Sequence, residues 1–257
     1  MEQYTGFAGV YDEFMDNVPY DEWVDYLYGL LVRVGVSGGI LCELGCGTGK
    51  ITRRLKGKGY DMIGIDCSAE MLQVARGREK PGDESILYLQ QDMREFELYG
   101  TVAGIVSICD SMNYILTKQD MLKVFKLVNN YLDINGVFIF DLNTVHYYKD
   151  VLSDNVICDN REDASLIWEN SYDQRSRKNR YDLTLYTKEP SGMFQRCEET
   201  HFQRAYALED VKGMLDKAGL EPLMCLRAFT DRNASEKDER VYFVAKTRKT
   251  LADVITG

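Results

Sequence analysis

The chain has 257 residues, 45% of them hydrophobic, and a formal net charge of −10. That is enough core for one domain, or one domain with an insert, without help from disulfides or metals, and the acidic balance disfavours broad backbone-driven binding of nucleic acid. Seven cysteines stand singly at 42, 46, 67, 109, 158, 197 and 225, so no metal site is expected, a reducing compartment is, and with no long apolar run or signal-like start the expectation is a cytoplasmic protein.

Residues 1–35 are rich in aromatic side chains: Tyr4, Phe7, Tyr11, Phe14, Tyr20, Trp23, Tyr26 and Tyr28, divided by Pro19. Trp23, Leu27, Leu30, Leu31 and Val34 recur at helical spacing, which predicts a helix over Asp21–Val34 with Asp21 close enough to cap it. The tyrosines before Pro19 read either as packing or as a hydroxyl-bearing lid over a cleft. Ile40–Leu44 is a short apolar strand that contains Glu43, a carboxylate that needs a partner to be buried there. Gly45, Gly47 and Gly49 follow, then a helix over Ile51–Lys58, then a strand from Met62 to Ile65 ending at Asp66. Arg53, Arg54, Lys56 and Lys58 read as a solvated helix face, with RNA phosphates as the alternative contact.

Ser68–Gly77 predicts a third helix, with Glu70 in its first turn, and 81–84 a turn. Ile86–Gln90 and Val102–Cys109 are strands, the second ending at Asp110. Lys118–Leu132 is a helix, and Val137–Phe140 a strand ending at Asp141. Strands that are apolar throughout are covered on both faces, so the expected fold is a doubly wound, mostly parallel α/β sheet, Rossmann-like. Residues 142–206 depart from this pattern. Alternation over Leu166–Tyr172, Arg180–Thr187 and Cys197–Tyr206, with a turn at Pro190–Gly192, predicts a small antiparallel insert after the fifth strand, either covering the cleft or making a subunit contact. A helix over Leu208–Ala218, closed by Gly219, and strands over Leu220–Phe229 and Arg240–Ala245 complete a seven-stranded sheet. The domain expectation is 1–35 as lid and helix, 36–141 with 207–247 as the main domain, and 142–206 as the insert.

The glycine loop carries the chemistry. Three glycines in five residues permit a tight turn and let a ligand approach bare backbone. A phosphate-binding P-loop fails, because Leu44 stands where its first glycine belongs and Ile51 where its Ser or Thr does. The dinucleotide pattern GxGxxG is also missed, with Lys50 in the place of the third glycine. A ligand with ribose and adenine but no phosphate fits best: Asp66 can accept from a ribose diol, and Glu43 can organise the loop or meet a cation.

The stretch Glu43-Leu44-Gly45-Cys46-Gly47-Thr48-Gly49 resembles the E/D-x-G-x-G-x-G signature of the class I S-adenosylmethionine-dependent methyltransferases. The resemblance implies S-adenosyl-L-methionine as cofactor, with Glu43, Gly45, Cys46, Gly47 and Lys50 around its methionyl part and ribose. It places Asp66 on the ribose hydroxyls, Cys67 and Met71 beside ribose and adenine, and Asp92 and Met93 near the adenine. Cys109, Asp110, Ser111, Met112, Asn113 and Tyr114 match the segment lining the methyl end. Tyr4, Phe7, Ala8, Tyr11, Asp12, Tyr20 and Trp23 are similar to the Y-x-x-[FL]-A-x-x-Y-D opening of a small-molecule subgroup that includes sugar N,N-dimethyltransferases. There Tyr11 and Tyr20 would lie near the sulfonium or carboxylate. The end of the insert, Glu199-x-His201-x-x-Arg204-x-Tyr206, is also similar.

Methyl transfer from a sulfonium needs alignment and exclusion of water, with a base only for a protonated acceptor. Candidate catalytic residues are His146, Tyr11 and His201, and candidate acceptor contacts are Asn113, Tyr114, Asn143, His146 and His201. The expected function is methylation of a small molecule by a monomer or homodimer. The alternatives are a methyltransferase of RNA, in particular tRNA, one acting on protein side chains, a non-catalytic S-adenosylmethionine-binding module, and an NAD-dependent oxidoreductase.

Overall fold

The computed structural model describes residues 14–16, 18–79 and 85–252, so Tyr4, Phe7, Tyr11, Asp12 and the turn at 81–84 lie outside the described residues. Five α-helices among the described residues are α1 Tyr20–Arg33, α2 Lys50–Gly57, α3 Ala69–Gly77, α4 Lys118–Tyr131 and α5 Leu208–Lys217. The strands of the main sheet are β1 Ile40–Leu44, β2 Asp61–Asp66, β3 Leu87–Gln90, β4 Val102–Ser107, β5 Leu132–Asn143, β10 Leu220–Arg227 and β11 Arg240–Thr247. Their order is β10-β11-β5-β4-β1-β2-β3. β1 to β5 pair in parallel, and β11 runs antiparallel between β5 and β10.

Both faces of the sheet are buried, as the continuous apolar runs require. On one side α4 and α5 pack Phe125, Val128, Val211 and Leu215 against Phe138, Phe140 and Phe243. The three phenylalanines on β5 and β11 stack with centroids 4.6 and 5.1 Å apart. On the other side α1, α2 and α3 set Val24, Leu27, Leu31, Ile51, Leu55 and Leu72 against Leu41, Val137 and Ile139. Successive residues of β5 therefore serve opposite cores, which fixes its register.

Helix ends show where local chemistry prevailed and where it did not. Ser68 caps α3 by accepting from the Met71 N–H at 3.2 Å, and Gly219 leaves α5 at φ +82°. Asp21 does not cap α1. The N-cap is Pro19, with no side-chain bond, and Asp21 instead accepts from Arg54 Nε of α2 at 2.6 Å. Lys58 likewise donates to Asp25 at 2.6 Å, and Arg53 donates to the Thr48 carbonyl. The basic run stays partly solvated, and three of its members, Arg53, Arg54 and Lys58, also reach the glycine loop and α1.

The insert is an antiparallel sheet in the order β6 Val156–Asn160, β7 Ala164–Asp173, β8 Lys178–Lys188 and β9 Phe194–Arg204. A π-helical stretch, Tyr147–Leu152, leads into it. Neither that stretch nor β6 is visible in the apolar pattern, because β6 is an exposed edge strand with no buried face to impose alternation.

Candidate active site

A cavity of about 390 Å³ opens at the carboxyl ends of β1, β2 and β4, the place where doubly wound sheets bind ligands. Its floor is the glycine loop. Gly45, Gly47 and Gly49 all have positive φ, at +72°, +53° and +70°. A Cβ on Gly45 would lie 2.7 Å from Ser111 Oγ, and one on Gly49 would lie 2.4 Å from Tyr88 Oη. Those two glycines are required by packing. At Gly47 a Cβ would meet nothing within 4 Å, so the bare backbone of this lining residue adjoins open space.

Asp66 braces the loop from the next strand. Its Oδ2 accepts from the Gly47 N–H at 2.8 Å and its Oδ1 from the Ser68 N–H at 2.9 Å. Each carboxylate oxygen keeps a lone pair for a second donor. Burial raises the Asp66 pKa, and the N–H groups of Ser68, Gly47 and Cys67 oppose the rise. Glu43 is buried beneath the loop and accepts a hydrogen bond from the Thr52 hydroxyl of α2. Burial pushes its carboxyl up to about 8; the Thr52 bond opposes this, the charge of Asp66 adds to it and Arg53 works against it. Asp92 is held by Arg94, whose Nε lies 2.9 and 3.0 Å from the two oxygens. Burial works against its ionised form, but the Arg94 side chain and backbone N–H outweigh it and leave the pKa lowered. At the rim, Lys50 Nζ lies 4.6 Å from the centroid of the Tyr20 ring.

The cavity lining carries the carboxylates Asp66, Asp92 and Asp120, with the buried Glu43 holding its proton at neutral pH, against two cations, Lys50 and Arg94. A pyrophosphate would be repelled, whereas a sulfonium with an ammonium group is matched in sign. The donor set therefore fits S-adenosylmethionine: a carboxylate free to accept from a diol, bare backbone beside it, and an acidic surround. The model of the methyltransferase domain matches residues 41–136. YqeM of Bacillus subtilis (strain 168), which is named as a methyltransferase, is 35% identical over 249 residues, covering 96% of this chain and 98% of YqeM. This chain belongs to the class I S-adenosylmethionine-dependent methyltransferases. The crystal structure of an S-adenosylmethionine-dependent methyltransferase from Clostridium acetobutylicum ATCC 824 superposes with a TM-score of 0.84 at 27% identity, covering 95% of this chain and 98% of that one. The S-adenosylmethionine-bound amino pentose methyltransferase CalS10 of Micromonospora echinaspora shares the fold, with a TM-score of 0.73, 18% identity and coverage of 92% and 96%.

In the methyltransferase, Tyr20, Glu43, Gly45, Cys46, Gly47, Asp66, Cys67, Met71, Asp92, Met93, Ser111 and Tyr114 all line the cavity. Tyr11 lies outside the described residues. Five other residues expected at the site do not line the cavity. Both oxygens of Asp110 are engaged, Oδ1 by Arg240 Nη2 at 2.8 Å and Oδ2 by Gln203 Nε2 at 2.7 Å. Asn113 is fully buried. Its amide donates to the carbonyls of Asn143 and Arg204 and accepts from the Asn143 N–H, so Asn113 and Asn143 are fastenings between strand ends. His146 opens the π-helical stretch and pairs with Asp150 at 2.9 Å, on an outer groove with Lys149, Arg177 and Lys237. His201 is buried on β9, 2.9 Å from Glu199. Its distance in sequence from the loop hid the fact that its ring meets Tyr114 edge-on, with centroids 6.1 Å apart.

Residues that sequence reasoning missed include Arg94, Gln91 and Asp120 of the lining. Arg94 had a signal, a guanidinium two residues after Asp92. Arg240 had none. It reaches from β11 to both Asp110 and Asp141 and lies 5.0 Å from the Trp23 ring. Asp141 has no exposed side-chain surface; burial raises its pKa and Arg240 opposes that. This joint holds Cys109 and Asp110, which sit at φ +63° and +52°, a conformation that non-glycine residues adopt only under local constraint.

Proposed function

We infer that this methyltransferase methylates a small polar molecule that enters between the insert sheet and the strand ends. The observation that carries the reading is the covering of the cavity wall by β9. The turn that supplies Ser111, Tyr114, Ile115 and Leu116 to the cavity is fastened to β9 and the residues after it at four places: Gln203 to Asp110, Asn113 to the Arg204 carbonyl, Arg204 to the Leu116 carbonyl, and Tyr206 to the Ile115 carbonyl. A cavity of about 390 Å³ walled in this way suits a small acceptor better than a polynucleotide, which needs a broad basic rim. The net charge of −10 points the same way. In this reading 142–206 is the substrate cover of a main domain made of 36–141 and 207–247, and the protein works in the cytoplasm.

S-adenosylmethionine supplies an activated methyl group, so the chain has to bind, orient and exclude water. Asp66 takes the ribose hydroxyls and keeps the loop in place through Gly47. Lys50 and Tyr20 meet the carboxylate at the rim, and Glu43 steadies the loop from beneath through Thr52. Cys67, Met71 and Met93 provide the nonpolar sides around the adenine, with Asp92 held in place by Arg94. Cys46 and Ser111 close the methyl end.

The test is incubation with methyl-labelled S-adenosylmethionine and a cell extract separated by size. Label is expected in the low-mass fraction. Label that stays with the large fraction and is released by ribonuclease would overturn the small-acceptor reading in favour of RNA.

A further inference from the structure

β9 packs against the turn that forms one wall of the cavity. Alternate residues of a strand share a face, so Cys197, Glu199, His201 and Gln203 point to the same side. Two of the four, Gln203 and His201, contact that turn. Gln203 donates to Asp110, next to Ser111. The His201 ring stands edge-on to Tyr114, a lining residue. Cys197 has its thiol pKa raised first by burial, then by charges that include Glu199 and, from the start of α3, Glu70; Glu70 adjoins Met71, which also lines the cavity. Glu199 is the fourth residue and lies between these fixed points. Its side chain is 10% exposed, and its Oε2 lies 2.9 Å from His201 Nε2. The opposite face of the same strand behaves differently: Glu198 is exposed and paired with Arg196 at 2.7 Å.

We propose that Glu199, backed by His201, faces the transferred methyl group from the acceptor side and takes the proton that the acceptor sheds. This rests on the function inferred above. The acceptor nitrogen or oxygen gains a bond to the methyl carbon, the carbon–sulfur bond breaks with its electron pair staying on sulfur, and the acceptor's proton passes to the Glu199 carboxylate. His201 holds the carboxylate in place, and the covered position keeps its charge unscreened. The same carboxylate selects acceptors that carry N–H or O–H toward the methyl over those that present only carbon.

The proposal can be tested before any acceptor is known. Sinefungin carries a primary ammonium at the position of the methyl sulfonium, and S-adenosylhomocysteine carries a neutral thioether there. Calorimetry on the full chain should show sinefungin bound more tightly than S-adenosylhomocysteine. Glu199→Gln should remove about tenfold or more of that advantage, the worth of a charge-assisted hydrogen bond, and leave S-adenosylhomocysteine within twofold of its wild-type affinity. Glu198→Gln should behave as wild type. A sinefungin advantage that survives Glu199→Gln, or an equal loss for both ligands, overturns the proposal. Should Glu199→Gln fail to fold, Glu199→Asp decides: it retains the charge but withdraws it, and an undiminished advantage sinks the idea. If the wild-type chain binds neither nucleoside, the cofactor assignment itself falls and this proposal with it.

Discussion

The floor of the cavity joins residues close in sequence. The Gly47 N–H and Asp66 are 19 positions apart, Ser68 and Asp66 two, and Thr52 and Glu43 nine. The wall beneath β9 is assembled over much longer distances: Gln203 and Asp110 are 93 positions apart, and Arg240 and Asp110 are 130. A contiguous stretch can therefore specify the floor wherever strand, loop and helix form. The wall exists only after the insert and the last strand have docked. Cofactor chemistry is written locally and acceptor chemistry globally, so substitutions in the two regions should separate.

The largest effect is expected at the joint. Arg240→Met leaves Asp141 buried without its cation and removes one partner of Asp110, which should lower unfolding stability by about 3 kcal/mol, measured by urea titration. A loss below about 1 kcal/mol would mean that the two regions are not held together by this cluster. Gly47→Val acts on the floor alone. A β-branched side chain at positive φ costs about 1–2 kcal/mol, but it also fills the open space beside the loop. S-adenosylmethionine affinity should fall by about a hundredfold or more by calorimetry, while the fold survives. Unchanged affinity would show that the ligand does not meet the backbone there.

Glu43 sharpens the comparison through pH. Its folded pKa of about 8 lies above its ordinary value of 4.5, so the native state holds the extra proton across that window. The stability this group contributes is complete below the lower value and is lost as pH rises through the higher one. The stability difference between wild type and Glu43→Gln should therefore change by about 2 kcal/mol between pH 6 and pH 8, with wild type losing ground as pH rises. A difference that stays constant would place Glu43 in a more polar setting than the structure gives it. The smallest effect is expected outside both regions. Arg54→Met breaks the pair with Asp21, which is largely exposed, and should shift stability by less than about 1 kcal/mol with cofactor affinity unchanged.

The same division explains what could be read from the chain. The strands of the main sheet were legible because β1, β2, β4 and β5 are apolar on both faces, and the loop because three glycines and Asp66 fall at fixed spacing. The resemblance of Cys109–Tyr114 to the segment lining the methyl end, and the place of Asp110 after a strand, point Asp110 at the cofactor. Nothing near it in sequence says that Arg240 and Gln203 occupy its oxygens. Asn113 and His146 were misplaced for a similar reason: polar residues after a strand look alike whether they face a ligand, a neighbouring carbonyl or water. β6 went unseen because an exposed edge needs no pattern, and β5 proved longer than its apolar run because Asp133, Asn135 and Gly136 interrupt it without ending it.

The position of β11 between β5 and β10 has a consequence for biosynthesis. Arg240 is made 99 residues after Asp141, so a chain emerging from the ribosome carries the glycine loop, Asp66 and both carboxylates of the corner well before the cation that neutralises them. Domains tend to consolidate as synthesis proceeds, yet here the corner at Cys109–Asp110, though bonded by Asp141 and Gln203, lacks its cation until β11 slides in. Nascent chains stopped short of Arg240 therefore carry the glycine loop and Asp66 while the buried Asp141 still lacks its cation, and the corner is charge-balanced only once β11 has been made.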